Sequence, residues 1–387
     1  MKTTLLTTTI HVPELLTAYA QNARAHGHAG APDQLDFVVV GDRKTPAAAA
    51  DFCRRLADEH PFACTYLDIP AQQEYLSRFP RLWQHLRFDS IQRRNIGLLW
   101  AYEHGAEVAI TIDDDNFALG GDFIGLHRQV GSFGPLPAFA TSSGWFNVCG
   151  TLAADDGVAF YHRGYPWDLR WREAEEFQSE SVSNRRIVVN AGLWLDDPDI
   201  DALARMARQP VVRGRKPGTP PSFCLEPGTW SPFNSQNTSL LRAVLPAYFL
   251  SPYNGRYDDI WASYIIARIA EHLGDVIAFG EPWVRQKRNP HDLWRDLDQE
   301  RDGMILTPGF CHALRNIALR GASYHQCFGE LADGLAAAWS ESGRWTETQR
   351  EWRQRLLEGM AIWHATFDSI AAAPLSGQVS AQTAGAC

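Results

Sequence analysis

Through its first 112 residues the chain alternates strand-like and helix-like segments, and that alternation restricts it to an α/β sheet. Residues 3–10 and 35–40 read as two strands. Between them, residues 13–26 carry helical spacing through Leu15, Leu16, Tyr19 and Ala23. A second helix is expected at 46–59, opened by Pro46 after Thr45. A third is expected at 89–104, where Asp89 and Gln92 resemble a capping box and Gly105 ends the run. The β-branched run Val108-Ala109-Ile110-Thr111-Ile112 then reads as a buried strand. Strand–helix–strand–helix–strand order indicates a parallel-type sheet with helices on its faces.

That last strand ends in three acids, Asp113-Asp114-Asp115. Hard oxygen ligands are thereby placed at a strand's C-terminal edge, where open α/β sheets hold their ligands. Mg²⁺ and Mn²⁺ prefer such oxygens and are usually bound by one or two carboxylates plus substrate phosphates. Taken alone, the triplet is explained equally well by a solvated acidic turn that caps the next helix.

Composition narrows the class. A chain of 387 residues with 45% apolar and 21% charged residues has ample material for a core. Its net charge of −9 argues against a general nucleic-acid or anionic-membrane binder. No apolar run approaches the roughly 18–20 residues that span a bilayer. The apolar start Leu5-Leu6 is broken at once by Thr7-Thr8-Thr9, His11 and Pro13, unlike a signal peptide. A cytoplasmic location is the expectation. Seven cysteines without Cys-x-x-Cys pairing argue against a disulfide framework or a structural zinc site.

Beyond the acids, strand candidates lie at 138–142, 147–153 and 187–195. Residues 209–233, rich in Pro, Gly and Arg, read as a long surface loop, either a connector or a substrate lid. From 257 onward the patterning is helical: 257–273, 291–300, 311–320, 323–341 and 345–372. Trp345, Trp352 and Trp363 are spaced to share one helix face, which suits core or subunit contacts better than a sugar platform. The expected organisation is a catalytic domain over 1–290, a helical region over 291–375 and a flexible tail over 376–387.

Four segments besides the triplet concentrate chemistry. In Gln92-Arg93-Arg94-Asn95, helical spacing lets at most one arginine point towards the sheet edge, as a phosphate contact or as a solvated helix face. In Arg163-Gly164-Tyr165-Pro166 through Arg170, a rigid turn would present a planar guanidinium to phosphate oxygens, or pair it with a nearby acid. In Asn190 to Asp199, Gly192 would let the backbone approach a ligand, while Asp196, Asp197 and Asp199 read as the cap of a helix near 199–207. Asp258 and Asp259, just before a helix, exceed what a cap requires, and either acid is placed to bind acceptor hydroxyls or act as general base.

In order and spacing, these segments resemble the reversibly glycosylated polypeptide family, whose plant members include UDP-arabinopyranose mutases. The resemblance is carried by Ile112-Asp113-Asp114-Asp115, Arg163-Gly164-Tyr165-Pro166 with Leu169-Arg170, Gly192-Leu193-Trp194-Leu195 with Pro198-Asp199, and Gly255-Arg256-Tyr257-Asp258-Asp259 with Trp261-Ala262. It covers about residues 90–290. It implies an α/β fold of the GT-A-like (Rossmann-like) kind, a mixed sheet flanked by helices, here with a helical C-terminal extension. It also implies a divalent metal, Mn²⁺ or Mg²⁺, and sugar transfer or isomerisation on a UDP-sugar. Carried over by position, Asp113 and Asp115 would ligate the metal, with Asp114 at the diphosphate. Arg163 resembles the arginine associated with reversible self-glycosylation and needed for activity, which would make it catalytic, and Arg170 a second one associated with structural integrity. Thr8 and Asp42 would cradle the nucleoside, and Arg93, Arg94, Arg170 and Gly192 complete the expected nucleotide-sugar contacts.

The sequence also departs from the family. An insertion rich in Glu and Ser covers roughly 172–186, and no histidine falls within Pro282–Lys287, His291 being a few residues out of register. The resemblance leads to a metal-dependent glycosyltransferase with a UDP-sugar donor and a small-molecule or glycan acceptor. The alternatives are a UDP-sugar pyranose/furanose mutase and a self-glycosylated scaffold with little turnover. A homo-oligomer is compatible with each of them.

Overall fold

The computed structural model describes residues 1–29, 34–170, 178–340 and 345–372. Its first half builds a parallel layer from β1 (Thr3–Thr9), α1 (Leu16–Ala25), β2 (Leu35–Gly41), α2 (Ala48–Glu59) and β3 (Ala63–Leu67). Two short helices follow, α3 (Ile69–Tyr75) and α4 (Pro80–His85), then α5 (Arg94–Glu103) and β4 (Val108–Ile112). The middle holds β5 (Asn116–Ala118), α6 (Phe123–His127), β6 (Leu136–Ala140), β7 (Leu152–Ala154), β8 (Gln178–Ser183) and β9 (Ile187–Asp196). Next come α7 (Ala202–Ala207), β10 (Val212–Arg215), β11 (Ser222–Leu225), β12 (Asn237–Leu241), α8 (Asp258–Leu273) and β13 (Val276–Gln286). Three long helices close the described chain: α9 (Leu293–Asn316), α10 (Tyr324–Ser340) and α11 (Glu347–Ala372).

The described strands form one mixed sheet with the main order β3-β2-β1-β4-β12-β9-β13-β11-β6-β8. β3, β2, β1 and β4 run parallel, with Leu5 opposite Phe37 on one side and Ile110 on the other. β12 then pairs antiparallel with both β4 and β9. The chain first builds outward from β1 through β2 to β3 and then returns to place β4 on the other side of β1. That reversal opens a crevice beyond the strands' C-terminal ends, where open α/β sheets hold ligands. The α/β expectation holds: a mixed sheet flanked by helices, with a helical C-terminal region.

Side-chain alternation packs both faces of the sheet. Leu5, Phe37, Val39 and Ile110 face α1 and α2, whereas Leu6, Val38 and Val40 face the opposite core with α5. That second core continues without a break through Trp261 and Ile265 of α8 to Leu331 of α10 and Trp363 of α11. Trp352 and Trp363 of α11 are buried, in keeping with the core role expected of them, whereas Trp345 precedes α11 and does not share its face.

Several local expectations need correction. The helix expected at 89–104 begins at Arg94 after a single 3-10 turn, Ile91–Arg93. Asp89 has φ +52° and pairs with Arg43, so it does not cap that helix. Residues 209–233 are not an uninterrupted loop, because they contain β10 and β11. The helices expected at 291–300 and 311–320 are one, α9, which runs through Pro308 while Leu306, Phe310 and Leu314 stay buried. At 147–153 a 3-10 turn, Val148–Thr151, precedes the three-residue β7. The cap of α7 is Asp201, which accepts from the Ala204 N–H, and not one of the three acids before it.

Strands β3, β12 and β13 were not anticipated. β12 begins Asn-Thr-Ser, which conceals a central strand because its polar groups are satisfied internally. Asn237 Nδ2 donates to the Pro282 carbonyl, Thr238 Oγ1 to that of Asn234, and Ser239 Oγ to that of His127. Among the described residues no helix is long and apolar enough to cross a membrane. The six described cysteines are free, and five are buried. The expected tail over 376–387 and the start of the 172–186 insertion lie outside the described residues.

Candidate active site

The C-terminal ends of β1, β2 and β4 open into a cavity of about 930 Å³. From β1 come Thr8 and Thr9, from the turn after β2 comes Asp42, and from the end of β4 come Asp113, Asp114 and Asp115. The opposite wall brings Arg163, Asp199, Asp258 and Asp259, with Gln286 and Arg288 from the end of β13. Trp352 of α11 also borders the space. Residues far apart in sequence thus converge at the switch point of the sheet.

Each acid of the triplet has a different partner. Asp113 accepts from Arg94 Nη2 at 2.6 Å, and its backbone N–H donates to the Gln236 carbonyl. Asp114 accepts from Thr9 Oγ1 at 2.7 Å. Asp115 accepts from Asn116 Nδ2 at 3.1 Å. Burial, together with the neighbouring charges of Asp113 and Asp114, pushes the Asp115 carboxyl up to about 7.

A bound cation would relieve that crowding, and the oxygen donors suit Mg²⁺ or Mn²⁺. Among the described residues, no trio of Asp, Glu, His or Cys ligand atoms gathers within 4.8 Å at this cavity. A cation here would take its protein oxygens from acids such as Asp113 and Asp115 and the rest from a ligand or water.

Arg94, fully buried, also donates to Ser235 Oγ at 2.6 Å, the Ile112 carbonyl at 3.2 Å and Thr8 Oγ1 at 3.3 Å. It braces the acidic strand end from behind and does not line the cavity. Arg93 does line it, with its guanidinium donating to Gln72 Oε1 at 2.8 Å and lying over the Phe88 ring at 4.5 Å. The 3-10 turn before α5 lets both arginines serve the same sheet end, which an unbroken helix would forbid. Asp42 accepts from the N–H of its neighbour Arg43 and from that of Ser90, in the segment before α5.

Arg163 is held between two carboxylates. Nε and Nη2 donate to the two Asp199 oxygens at 2.9 Å each, while Nη1 reaches Asp259 at 3.1 Å. The Arg256 carbonyl also accepts from Nη1. Burial alone would raise Asp199, but Arg163, His162 and the Asn234 amide outweigh it and hold the carboxyl well below its usual range. Asp259 additionally accepts from the Ser235 N–H at 3.1 Å. Beside it, Asp258 is pushed up to about 7 by burial and by the Asp259 charge. The two adjacent acids thus differ in partner: Asp259 is ion-paired with Arg163, whereas no ion pair is formed by Asp258 among the described residues.

The structure does not bring Arg170 or Gly192 to the cavity. Arg170 is buried, donates to Asp201 at 2.6 Å and to the Tyr165 carbonyl at 3.1 Å, and stacks on Trp167 at 4.1 Å. A methyl at Gly192 would lie 2.3 Å from Asn237 Nδ2 and 2.4 Å from the Pro282 carbonyl, so its missing side chain serves strand packing. Sequence reasoning overlooked Arg288, which lines the cavity with a buried Nε that has no hydrogen-bond partner among the described residues. Burial and the cations Arg205 and Arg256 push its pKa down. No local motif marks it, because the strand that precedes it was itself not anticipated. Asp199 was assigned to helix capping, and only the fold reveals its pairing with Arg163. His291 lines the cavity and pairs with Asp296 at 3.0 Å.

The chain has relatives among known proteins. UDP-arabinopyranose mutase 1 of Arabidopsis thaliana is 29% identical over 224 residues, 55% of this chain and 56% of that protein. UDP-arabinopyranose mutase 2 of the same plant is 26% identical over 232 residues, 57% of each chain. The chain is similar to the UDP-arabinopyranose mutases. The matched stretch spans about half the length of those curated relatives. No family model matches the chain. Among solved structures it is similar to a mannosyltransferase, PcManGT from Pyrobaculum calidifontis, in complex with GDP-Man and Mn²⁺. Identity there is 12%, covering 96% of this chain and 88% of that one, with a TM-score of 0.38, at which the likeness carries no argument.

Proposed function

We propose that this chain is a metal-dependent glycosyltransferase that uses a UDP-sugar donor in the cavity at the switch point. The observation that carries this reading is the convergence of two dissimilar acidic groups on one cavity: the crowded triplet Asp113–Asp115 and the protonatable Asp258. Asp113 and Asp115 would hold Mn²⁺ or Mg²⁺, which when bound neutralises charge on a diphosphate leaving group. Arg288, with its unpartnered Nε, and Arg93 supply further positive charge along the wall.

The reaction breaks the bond between the anomeric carbon and the diphosphate oxygen, and the electron pair departs with the diphosphate. An acceptor hydroxyl forms the new bond to that carbon and gives its proton to Asp258, whose position near neutrality suits a general base. Arg163 is not free to grip a phosphate. Its role is to fix Asp259 and Asp199, and through them the wall that carries Asp258. A cavity of about 930 Å³ lies at the upper end of the range for small-molecule sites, which suits a donor and an acceptor together.

A second reading is a mutase that returns the sugar to UDP with a different ring size, and the names of the curated relatives favour it. Incubating the protein with a panel of nucleotide sugars and Mn²⁺, with and without acceptors, separates the two by mass spectrometry and chromatography. UDP plus a glycoside indicates transfer, an isomeric UDP-sugar without acceptor indicates mutation, and an unchanged donor in every reaction overturns both.

A further inference from the structure

Away from the cavity, α10 and α11 bring two histidines and an aspartate together. His364 and Asp368 lie four residues apart on α11, and so on one helix face. His325 approaches from α10. Its Nε2 is 2.8 Å from one Asp368 oxygen, and His364 Nδ1 is 3.2 Å from the other. The two imidazoles stack at 4.0 Å, 9° from parallel. The three ligand atoms lie within 4.8 Å of one another, the one such trio found among the described residues.

We propose that His325, His364 and Asp368 form a binding site for a divalent transition metal of the Zn²⁺ or Co²⁺ type, which clips α11 to α10. Two imidazoles and one carboxylate, with an open position for water, match the donor set of three-ligand zinc sites. The open position is available because Asp368 is 58% exposed, while the histidines are 25% and 29% exposed.

The surroundings are built for close approach. A methyl at Gly329, one turn after His325, would lie 2.7 Å from His364 Nε2, so the glycine admits the ring against α10. Imidazole lone pairs lie in the ring plane, so metal entry splays the stacked rings and replaces their hydrogen bonds to Asp368.

The test uses the full chain carrying Asp113→Asn and Asp115→Asn, so that the cavity acids do not contribute. Titration with Co²⁺ should give a visible absorption band that saturates at one equivalent, and Zn²⁺ should bleach it. Excess Zn²⁺ should raise Tm by about 3–5 °C. In the same background Asp368→Asn keeps an oxygen for the histidines but loses the anionic ligand. It should weaken Co²⁺ binding by about 10-fold or more with the metal-free Tm unchanged. His364→Gln should abolish the band. A flat Co²⁺ titration, or a band unaffected by Asp368→Asn and His364→Gln, would show that the trio is only a hydrogen-bonded contact between helices.

Discussion

The guanidinium of Arg94, fully buried at the start of α5, donates from Nη2 to Oδ1 of Asp113 at 2.6 Å. This contact joins the helix that precedes the acidic strand to the first acid beyond it. One Asp113 oxygen is thereby occupied.

Removing that brace should be costly, because it strands a carboxylate among like charges. Arg94→Ala is expected to destabilise the chain by about 3–5 kcal/mol, the usual cost of breaking one side of a buried pair. Urea unfolding monitored by tryptophan fluorescence measures it, and a loss below about 1 kcal/mol would show that Asp113 does not depend on Arg94.

Arg163 is expected to behave as a structural hub. Arg163→Lys keeps the charge but not the planar fork that serves both Asp199 oxygens. Its Tm should fall together with its activity. If activity fell with Tm unchanged, the residue would be a direct substrate contact.

Asp115 should show opposite effects on stability and activity. Its carboxyl is raised to about 7 by burial and by Asp113 and Asp114, so ionising it opposes folding. Asp115→Asn should therefore raise Tm above pH 7 in metal-free buffer. Turnover of the nucleotide sugar should fall by roughly 10²–10³, as when one electrostatic stabiliser of a leaving group is lost. A variant with both lower Tm and ordinary metal-dependent turnover would contradict the assignment.

Asp258 gives a pH dependence with a definite sign. Its folded pKa of about 7 lies above the ordinary carboxylate value, so the folded chain keeps a proton that the unfolded chain has lost. Its contribution favours folding below that range and is lost as pH rises from about 4 to 7. Asp258→Asn removes the titration, so its urea midpoint should fall less than that of the unaltered chain between pH 5 and 7.5. Parallel curves would place the Asp258 proton elsewhere.

How far the sequence carries depends on whether a signal is local. The apolar run Val108–Ile112 and the acids after it were legible because strand and ligands are contiguous. Helix α8 was legible from its unbroken pattern. β12 was not, because its buried Asn237, Thr238 and Ser239 look like a loop until their partners on other elements are known. The site divides the same way. Arg163 and Asp259 stand out in their own motifs, but their pairing spans 96 residues and makes Arg163 a brace. Arg170, which the resemblance also tied to structural integrity, is held by Asp201, and Gly192 serves strand packing, so neither makes the ligand contact expected of it. Arg288 carried no motif, and only the fold places it beside the acids.

The central claim is that Asp113 and Asp115 hold a cation that grips the diphosphate of a UDP-linked donor. Calorimetric titration of UDP, with Mn²⁺ and with EDTA, into the unaltered chain and into Asp115→Asn tests it most directly. The account predicts one UDP site whose affinity rises at least ~10-fold with Mn²⁺, a gain that Asp115→Asn abolishes. UDP binding equally tight in EDTA, or undiminished in Asp115→Asn with Mn²⁺, would contradict it.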